Sequence, residues 1–206
     1  MSKDLKVSCL LLCAGKSSRT SPDHKLLMKI DDLSILKRTA HEIVNAQFFE
    51  VIAVAGYESE QIRDELQGLP LKIIDNESYA RGMHSSIKAG LRMLSPEADY
   101  FAVCLADQPM MDHNDYNFII NTVSENKNKK LFRPMFEGKQ GNPAVISKEF
   151  ITEILKHEDT DKGCSYLFER YPQEVANISM QNHSTLIDVD THELFDEVKF
   201  HLEKKR

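Results

Sequence analysis

The feature of this chain that most constrains its fold is the alternation of short apolar runs with segments of helical periodicity. Runs of strand length occur at 7–12, 51–55, 72–74, 100–105, 131–134 and 144–146. Segments with a helical pattern occur at 34–46, 59–66, 85–94, 114–123, 148–156, 162–170 and 192–203. The early runs are apolar almost throughout, which is typical of parallel strands covered on both faces. The alternation therefore predicts an α/β layered fold with a mostly parallel central sheet.

Composition and charge narrow the class of protein. The 206 residues fit a single domain over 1–206, and an apolar share of 41% is enough for a sizeable core. No apolar run is long enough to span a bilayer, and residues 1–6 lack the pattern of a secretory signal. We therefore expect a cytoplasmic protein without a membrane partner. The formal net charge of −6 argues against nucleic acid as a partner.

The cysteines indicate a reducing environment. Cys9, Cys13, Cys104 and Cys164 include no CxxC pair, and most of them stand in apolar or helical contexts. This usage predicts reduced, buried thiols rather than disulfides or a zinc site.

A turn of small residues follows the first predicted strand and leads to two cations. Gly15 and Ser17 precede Arg19, and Lys25 follows. Small residues let backbone N–H groups approach phosphate oxygens, and fixed cations neutralise the remaining charge, so the segment suits a nucleoside triphosphate. A solvated loop with two surface cations explains the same residues. The Walker A motif is absent, because Leu10 stands where its first glycine belongs, and no G-x-G-x-x-G motif occurs.

Carboxylates stand next to two of the predicted elements. Asp107 ends the apolar stretch that begins with the run 100–105, and Asp188 and Asp190 precede the last predicted helix. A carboxylate at the tip of a buried strand is placed to hold a hard cation such as Mg²⁺ through oxygen. The alternative for each of these residues is a capping role in a turn or at a helix start.

One predicted helix opens with a glycine and two hydroxyl residues. Gly82 precedes the helix, and Ser85 and Ser86 lie in its first turn. Free backbone N–H groups at such a start can meet a nucleobase carbonyl or a ribose. A plain N-capped helix is the alternative.

Two polar stretches connect the later elements. The stretch 124–130 predicts an exposed connection that leads into an edge strand. Gly141, Asn142 and Pro143 form a turn by composition, which suits either a substrate loop or a simple connection.

The unusual segments follow predicted strands. In open α/β sheets, ligands bind beyond the carboxyl ends of the strands. The segments 13–19, 81–83 and 107–109 come after the first, third and fourth predicted strands. We therefore expect them at one edge of the sheet, where a single ligand can touch all three.

Six segments match the motifs of one family in the same order. They are LCAGKSSR at 12–19 with Lys25, GMHSSIKAGL at 82–91, ADQP at 106–109, GNP at 141–143, DKG at 161–163 and DVDT at 188–191. In these segments, which are spread over nearly the whole chain, the sequence resembles the molybdenum cofactor cytidylyltransferases. Those enzymes are nucleotidyltransferases of the nucleotide-diphospho-sugar transferase fold.

The resemblance implies a fold, a reaction and a set of site residues. The fold is a Rossmann-like three-layer sandwich, and the reaction is the Mg²⁺-dependent transfer of CMP from CTP to a molybdopterin-type molybdenum cofactor, with release of pyrophosphate. A molybdenum hydroxylase would receive the product. The implied residues are Lys25 and Arg19 for catalysis; Cys13, Ala14, Gly15, Ser17, Gly82, Ser85 and Ser86 for the nucleotide; Asp107 and Asp190, with Asp188 as the alternative to Asp190, for the metal; and Gly141, Asn142 and Pro143 for the acceptor. In the family, alanine at the position of Ala14 goes with cytidine and glycine with guanosine, which favours CTP.

Departures from the family pattern leave rival interpretations open. Thr20 and Ser21 replace a Met-Gly pair, His84 replaces serine, Ala106 replaces glycine, and Asn142 replaces histidine. The triphosphate residues are kept while the acceptor side is altered. One rival is a nucleotidyltransferase for another phosphorylated acceptor, such as a sugar or alditol phosphate. The others are a non-catalytic chaperone that carries the molybdenum cofactor and a degenerate α/β domain with a structural role.

Overall fold

The structure, a computed structural model, describes residues 5–16 and 24–204. Its strands are β1 (Val7–Cys13), β2 (Lys29–Ile30), β3 (Leu33–Ser34), β4 (Val51–Ala55), β5 (Lys72–Asp75), β6 (Tyr100–Leu105), β7 (Leu131–Phe136), β8 (Lys139–Gln140), β9 (Ala144–Ser147) and β10 (Val175–Ser179). Its helices are α1 (Ile35–Asn45), α2 (Ser59–Leu66), α3 (Met83–Leu91), α4 (His113–Glu125), α5 (Ile151–Lys156), α6 (Ser165–Arg170) and α7 (His192–Lys204).

The central sheet is mostly parallel, as the apolar runs predict. Its order is β10-β7-β9-β6-β1-β4-β5, with β8 paired to β7, while β2 and β3 form a separate hairpin. Strands β6, β1, β4 and β5 run parallel to one another, and β10 is parallel to β7. Strand β9 is antiparallel to both of its neighbours. The sheet therefore places the carboxyl ends of β1, β4, β5 and β6 at one edge.

Helices cover both faces of this sheet and give three layers. Side chains alternate along a strand, so that Val7, Cys9 and Leu11 of β1 pack into one core while Leu10 packs into the other. The first core receives buried residues of α1, α2, α4 and α7, and the second receives those of α3, α5 and α6. Strand β1 is thus buried on both sides, which explains why its sequence is apolar rather than alternating.

The main difference from the sequence prediction is at the β10 edge. The stretch at 131–134 was expected to be an edge strand, and this is wrong, because β10 pairs with β7 on its outer side. The segment Val175–Ser179 includes exposed Asn177 and Ser179, so it lacks the apolar run that marks the other strands. A short strand with exposed residues on one side contains no apolar run, so its sequence does not mark it as a strand.

Smaller differences concern the ends of helices. Helix α3 begins at Met83 rather than at residue 85, because the chain turns into it directly after Gly82, whose φ is 99°. The segment predicted as a helix over 148–156 starts with the 3-10 turn Lys148–Phe150 before α5. The helix expected over 162–170 begins at Ser165.

Two expectations from composition can be compared with the structure. All four cysteines are buried, as the sequence predicts, and each is unpaired in the structure. Over residues 5–16 and 24–204, no helix combines the length and apolar character needed to cross a membrane.

Candidate functional site

The centre of the site is an ammonium group held between two carboxylates. The short 3-10 turn Lys25–Leu27 lies between β1 and β2, and it presents the side chain of Lys25 to the sheet edge. Its Nζ donates to Oδ2 of Asp107 at 2.5 Å and to Oδ1 of Asp190 at 2.8 Å. Burial by itself would lower the pKa of Lys25, but the charge and hydrogen bond of Asp107, with those of Asp190, outweigh it and raise the pKa. Lys25 is therefore a fixed positive charge at neutral pH.

The end of β6 and the segment before α7 are joined next to this ammonium group. The backbone carbonyl of Asp107 accepts from the N–H of Val189 at 2.9 Å. The Gln108 side-chain amide donates to Oδ1 of Asp188 at 2.6 Å and to the carbonyl of Thr185 at 3.2 Å. Burial, together with the negative charge of Asp107, raises the pKa of Asp188 to about 6. Carboxylates far apart in sequence are thus collected at the carboxyl end of β6.

The turn after β1 supplies the second wall. Ala14, Gly15 and Lys16 border the cavity next to the ammonium group. A Cβ placed on Gly15 would meet no atom of the described chain within 4 Å, so a ligand can approach this backbone closely. Ser17 and Arg19, which the sequence analysis assigns to the triphosphate, lie outside the described residues.

The N-terminus of α3 forms a third wall. Gly82, Met83 and Ser86 border the cavity there. A Cβ on Gly82 would lie 2.6 Å from Oδ1 of Asp161 and 2.9 Å from the backbone of Thr160. Because its φ of 99° also disfavours other residues, this position requires glycine both for backbone geometry and for close packing.

Two residues expected at the nucleotide do not border the cavity. The hydroxyl of Ser85 accepts from the Asn76 amide at 2.9 Å and lies 3.0 Å from the carbonyl oxygen of Ser78, so it belongs to a buried network under α3. The side chain of Cys13 points into the core, and its thiol donates to the carbonyl of Leu11 at 3.5 Å. Burial raises the pKa of Cys13 far above its usual value, which keeps this thiol neutral.

The turn expected on the acceptor side also lies away from the cavity walls. A cis peptide bond joins Asn142 and Pro143. The N–H of Asn142 donates to the carbonyl of Thr185 at 3.0 Å, and a Cβ on Gly141 would lie 2.5 Å from the same oxygen. Gln108 donates to that oxygen too, so the turn is connected to the carboxylate cluster through one carbonyl.

These walls enclose a cavity of about 720 Å³, large enough for a nucleotide-sized ligand. Its charged lining residues within the described chain are Asp107, Asp161, Asp188, Asp190, Lys16 and Lys25. Carboxylates outnumber ammonium groups, so these walls favour a cation, or an anion that brings a cation with it. The segments following β1, β5 and β6 do meet at this edge, as the sequence analysis predicts.

Several residues of these walls have no role in the prediction from sequence. Asp161 belongs to a matching DKG motif, but nothing in the sequence indicates that its side chain reaches the cavity. Tyr79 and Met83 provide apolar surface there, and Lys16 provides a cation. Lys16 lies in the glycine turn, and the pattern of small residues there predicts a role for the backbone N–H groups and none for the Lys16 side chain.

Comparison with known proteins gives a match over most of the chain. A family model described as MobA-like NTP transferase domain matches residues 9–175. The matched region includes the turn after β1, Lys25, the start of α3 and Asp107.

Individual relatives cover nearly the whole chain. The molybdenum cofactor cytidylyltransferase of Escherichia coli (strain K12) is 23% identical over 194 residues, which is 92% of this chain and 93% of the relative. The nicotine blue oxidoreductase of Paenarthrobacter nicotinovorans is 24% identical over 192 residues, covering 91% and 93%. Among solved structures, a nucleotidyl transferase from Methanothermobacter superimposes with a TM-score of 0.83 at 14% identity, covering 98% of this chain and 99% of that one. This structural match supports the α/β fold described above.

Proposed function

Because the chain belongs to the family of MobA-like NTP transferase domains, and is a nucleotidyltransferase, we propose that it transfers CMP from CTP to a molybdopterin-type molybdenum cofactor. The observation that carries the proposal is the position of Lys25 between Asp107 and Asp190, in the lining of a nucleotide-sized cavity where the parallel strands end. The E. coli relative named molybdenum cofactor cytidylyltransferase supports the choice of acceptor. Ala14, which goes with cytidine in the resemblance, supports the choice of nucleotide.

The proposed reaction is an in-line displacement at phosphorus. An oxygen of the cofactor's terminal phosphate forms a bond to the α-phosphorus of CTP, and the bond from that phosphorus to the bridging oxygen breaks. Pyrophosphate leaves with the electron pair. Such a reaction needs no protein nucleophile, because positioning and charge neutralisation supply most of the catalysis. The ammonium group of Lys25 is the described cation best placed to stabilise the charge that develops on the phosphate oxygens.

The carboxylates beside Lys25 fit a magnesium ion. One oxygen of Asp107, Oδ1, is buried and has no hydrogen-bond partner in the described chain. Among the described residues no group of three His, Cys, Asp or Glu side chains is arranged as a metal site. This suits Mg²⁺, which usually takes one or two carboxylates and completes its shell with water and substrate phosphates. Asp107 and Asp190 would hold the ion, which would neutralise phosphate charge when bound.

Each of the other walls would bind a different part of the two substrates. The turn of Ala14 and Gly15, continued by Ser17 and Arg19, would receive the triphosphate. Gly82 and the first turn of α3 would lie beside the base and ribose. The acceptor would approach from the side of the turn at 141–143, which is linked to the cluster through Thr185 and Gln108. We further propose that the protein acts in the cytoplasm and passes its product to a molybdenum hydroxylase.

A direct assay tests this proposal against its rivals. The purified chain is incubated with Mg²⁺, each of the four NTPs and either the molybdenum cofactor or a set of sugar and alditol phosphates, and pyrophosphate is measured. We expect release only with CTP and the molybdenum cofactor, together with a cytidylylated product in the mass spectrum. Release with a sugar or alditol phosphate instead assigns a different acceptor. Tight binding of the cofactor without pyrophosphate supports the chaperone role.

A redox control follows from the second relative. Because one relative is named an oxidoreductase, consumption of NADH or NADPH should be followed in the same mixtures. We expect none, since the chain lacks the G-x-G-x-x-G motif of dinucleotide-binding enzymes. Cofactor-dependent consumption without pyrophosphate release would contradict the proposed transfer.

A further inference from the structure

The loop over residues 157–163 is attached to α3 by backbone carbonyl groups. The N–H of His84 donates to the carbonyl of Thr160 at 2.9 Å. The two ring nitrogens of His84 lie 3.0 Å from the carbonyl oxygens of Gly163 and Ile154. A single buried side chain in the first turn of α3 therefore contacts the C-terminal end of the loop and the helix α5 that precedes it.

A second basic residue of α3 holds the middle of the same loop. Lys88 Nζ donates to the carbonyl of His157 and forms an ion pair with Oδ1 of Asp159 at 2.9 Å. Arg81 Nε reaches the other oxygen of Asp159 at 3.0 Å. The hydrogen bond and charge of Lys88 lower the pKa of Asp159, so this carboxylate stays ionised and the attachment persists at neutral pH.

Asp161 projects from this fixed loop into the wall of the cavity. Its Oδ1 would be 2.6 Å from a Cβ on Gly82, so the carboxylate lies directly against the glycine at the start of α3. No hydrogen bond or ion pair within residues 5–16 and 24–204 uses the side chain of Asp161. Asp161 is exposed, and its carboxylate has no protein donor among the described residues.

The surroundings of Asp161 suit a flat ring. Tyr79, Ala80 and Met83 border the cavity next to Gly82 and present apolar surface, unlike the charged wall around Lys25. Apolar walls with one polar group at the edge are the usual way to bind a heterocycle, because the walls contact the ring faces while the polar group reads its edge.

We propose that Asp161 is a specificity-determining residue that accepts a hydrogen bond from the exocyclic amino group of the nucleotide base. The inference rests on the proposed function, which makes the base cytosine. Cytosine presents an N4 amino donor where uracil presents an O4 acceptor, and a carboxylate attracts the first and repels the second. Asp161 would thus select CTP over UTP, which carry the same triphosphate.

The test measures nucleotide binding and needs no acceptor. Dissociation constants for CTP and UTP with Mg²⁺ are determined by calorimetry for the wild type, Asp161→Asn and Asp161→Ala. The matched control is Glu158→Gln, which removes the same charge from an exposed position of the same loop outside the cavity wall. Thermal unfolding of each variant confirms that it is folded.

We expect the wild type and the control to prefer CTP by about tenfold to hundredfold. Both Asp161 variants should lose at least tenfold of that preference. A preference that is the same in Asp161→Asn as in the wild type would overturn the inference, and so would a wild type that binds CTP and UTP equally.

Failure of this inference is distinguishable from failure of the proposed function. CMP transfer to the molybdenum cofactor with an unchanged nucleotide preference in the variants removes Asp161 from recognition and leaves the function intact. A CTP preference that depends on Asp161, without transfer to the cofactor, supports the role of Asp161 and contradicts the proposed acceptor.

Discussion

Replacing Lys25 by methionine tests the central arrangement of the site, because the variant keeps an unbranched side chain only one atom shorter and removes the ammonium group. Two charge-assisted hydrogen bonds are lost, at 2.5 Å to Asp107 and 2.8 Å to Asp190. Such bonds contribute about 1.5–3 kcal/mol each when buried. The carboxylates are 15% and 25% exposed, so water compensates part of the loss. We therefore expect Lys25→Met to lower the free energy of unfolding by about 2–4 kcal/mol in the absence of divalent ions.

The Lys25→Met variant should also differ from the wild type in how strongly Mg²⁺ stabilises it. Without the ammonium group, Asp107 and Asp190 repel each other, and a divalent cation is the natural replacement for the missing charge. Mg²⁺ should therefore raise the unfolding temperature of Lys25→Met more than that of the wild type, recovering part of a deficit of roughly 4–16 °C. The measurement is thermal unfolding in chelator and in a Mg²⁺ series, with Lys29→Met, an exposed neighbour in β2, as the control.

The catalytic prediction for Lys25 is separate from stability. Loss of one charge-stabilising donor costs about 10²–10³ in kcat, so pyrophosphate release by Lys25→Met should fall by that factor while CTP still binds. Two results would refute the reasoning. Near-normal turnover would remove Lys25 from the transition state, and a Mg²⁺ response equal to that of the wild type would contradict a metal site at these two carboxylates.

Three further predictions follow from the geometry. Asp107→Asn should reduce Mg²⁺-dependent pyrophosphate release by at least about 10², and a rate within tenfold of the wild type would contradict its metal role. Gly82→Ala should destabilise the fold by about 2–4 kcal/mol, measured by urea unfolding, because it combines an unfavourable φ with a backbone contact at 2.9 Å; Gly138→Ala, at φ 78° in open space, should cost about 1 kcal/mol. The hydrogen bond of Glu42 raises the pKa of His113, so this pair should add stability that is fully present below the unfolded pKa of about 6.5 and is lost as pH rises through the folded value. The difference in unfolding free energy between wild type and His113→Asn should therefore be larger at pH 5 than at pH 9, and a difference independent of pH would count against the pair.

The parts of the fold that could be predicted are those where one physical effect dominates the sequence. Strands β1, β4 and β6 are buried on both faces, so their composition is apolar almost throughout, with Ser8 in β1 as the exception. Because parallel strands share a direction, residues that follow them had to meet at one edge. Gly15, Gly82 and Asp107 border one cavity at that edge. Strand β10 has no such signal, since two of its five residues are exposed and only Ile178 is fully buried.

The parts of the site that could not be predicted depend on contacts between distant segments. Ser85 follows Gly82 closely in sequence, yet its hydroxyl turns under α3 to Asn76, because a helix sends neighbouring side chains to different faces. Asp161 lies at the cavity in a loop that His84, Lys88 and Arg81 attach to the region around the start of α3. No local sequence pattern predicts the orientation of Ser85 or the position of Asp161, since both depend on contacts between segments that are distant in sequence.

The position of Lys25 links the charge balance of the site to its proposed chemistry. Among the described residues, Asp107, Asp190 and Lys25 together carry a net negative charge, which disfavours a free triphosphate. A divalent cation on Asp107 and Asp190 would reverse that sign and at the same time release Lys25 from its two partners. The ammonium group would then be available to the phosphate oxygens that arrive with the metal. In the proposed mechanism, a single lysine would stabilise the carboxylates before the nucleotide binds and the transition state afterwards.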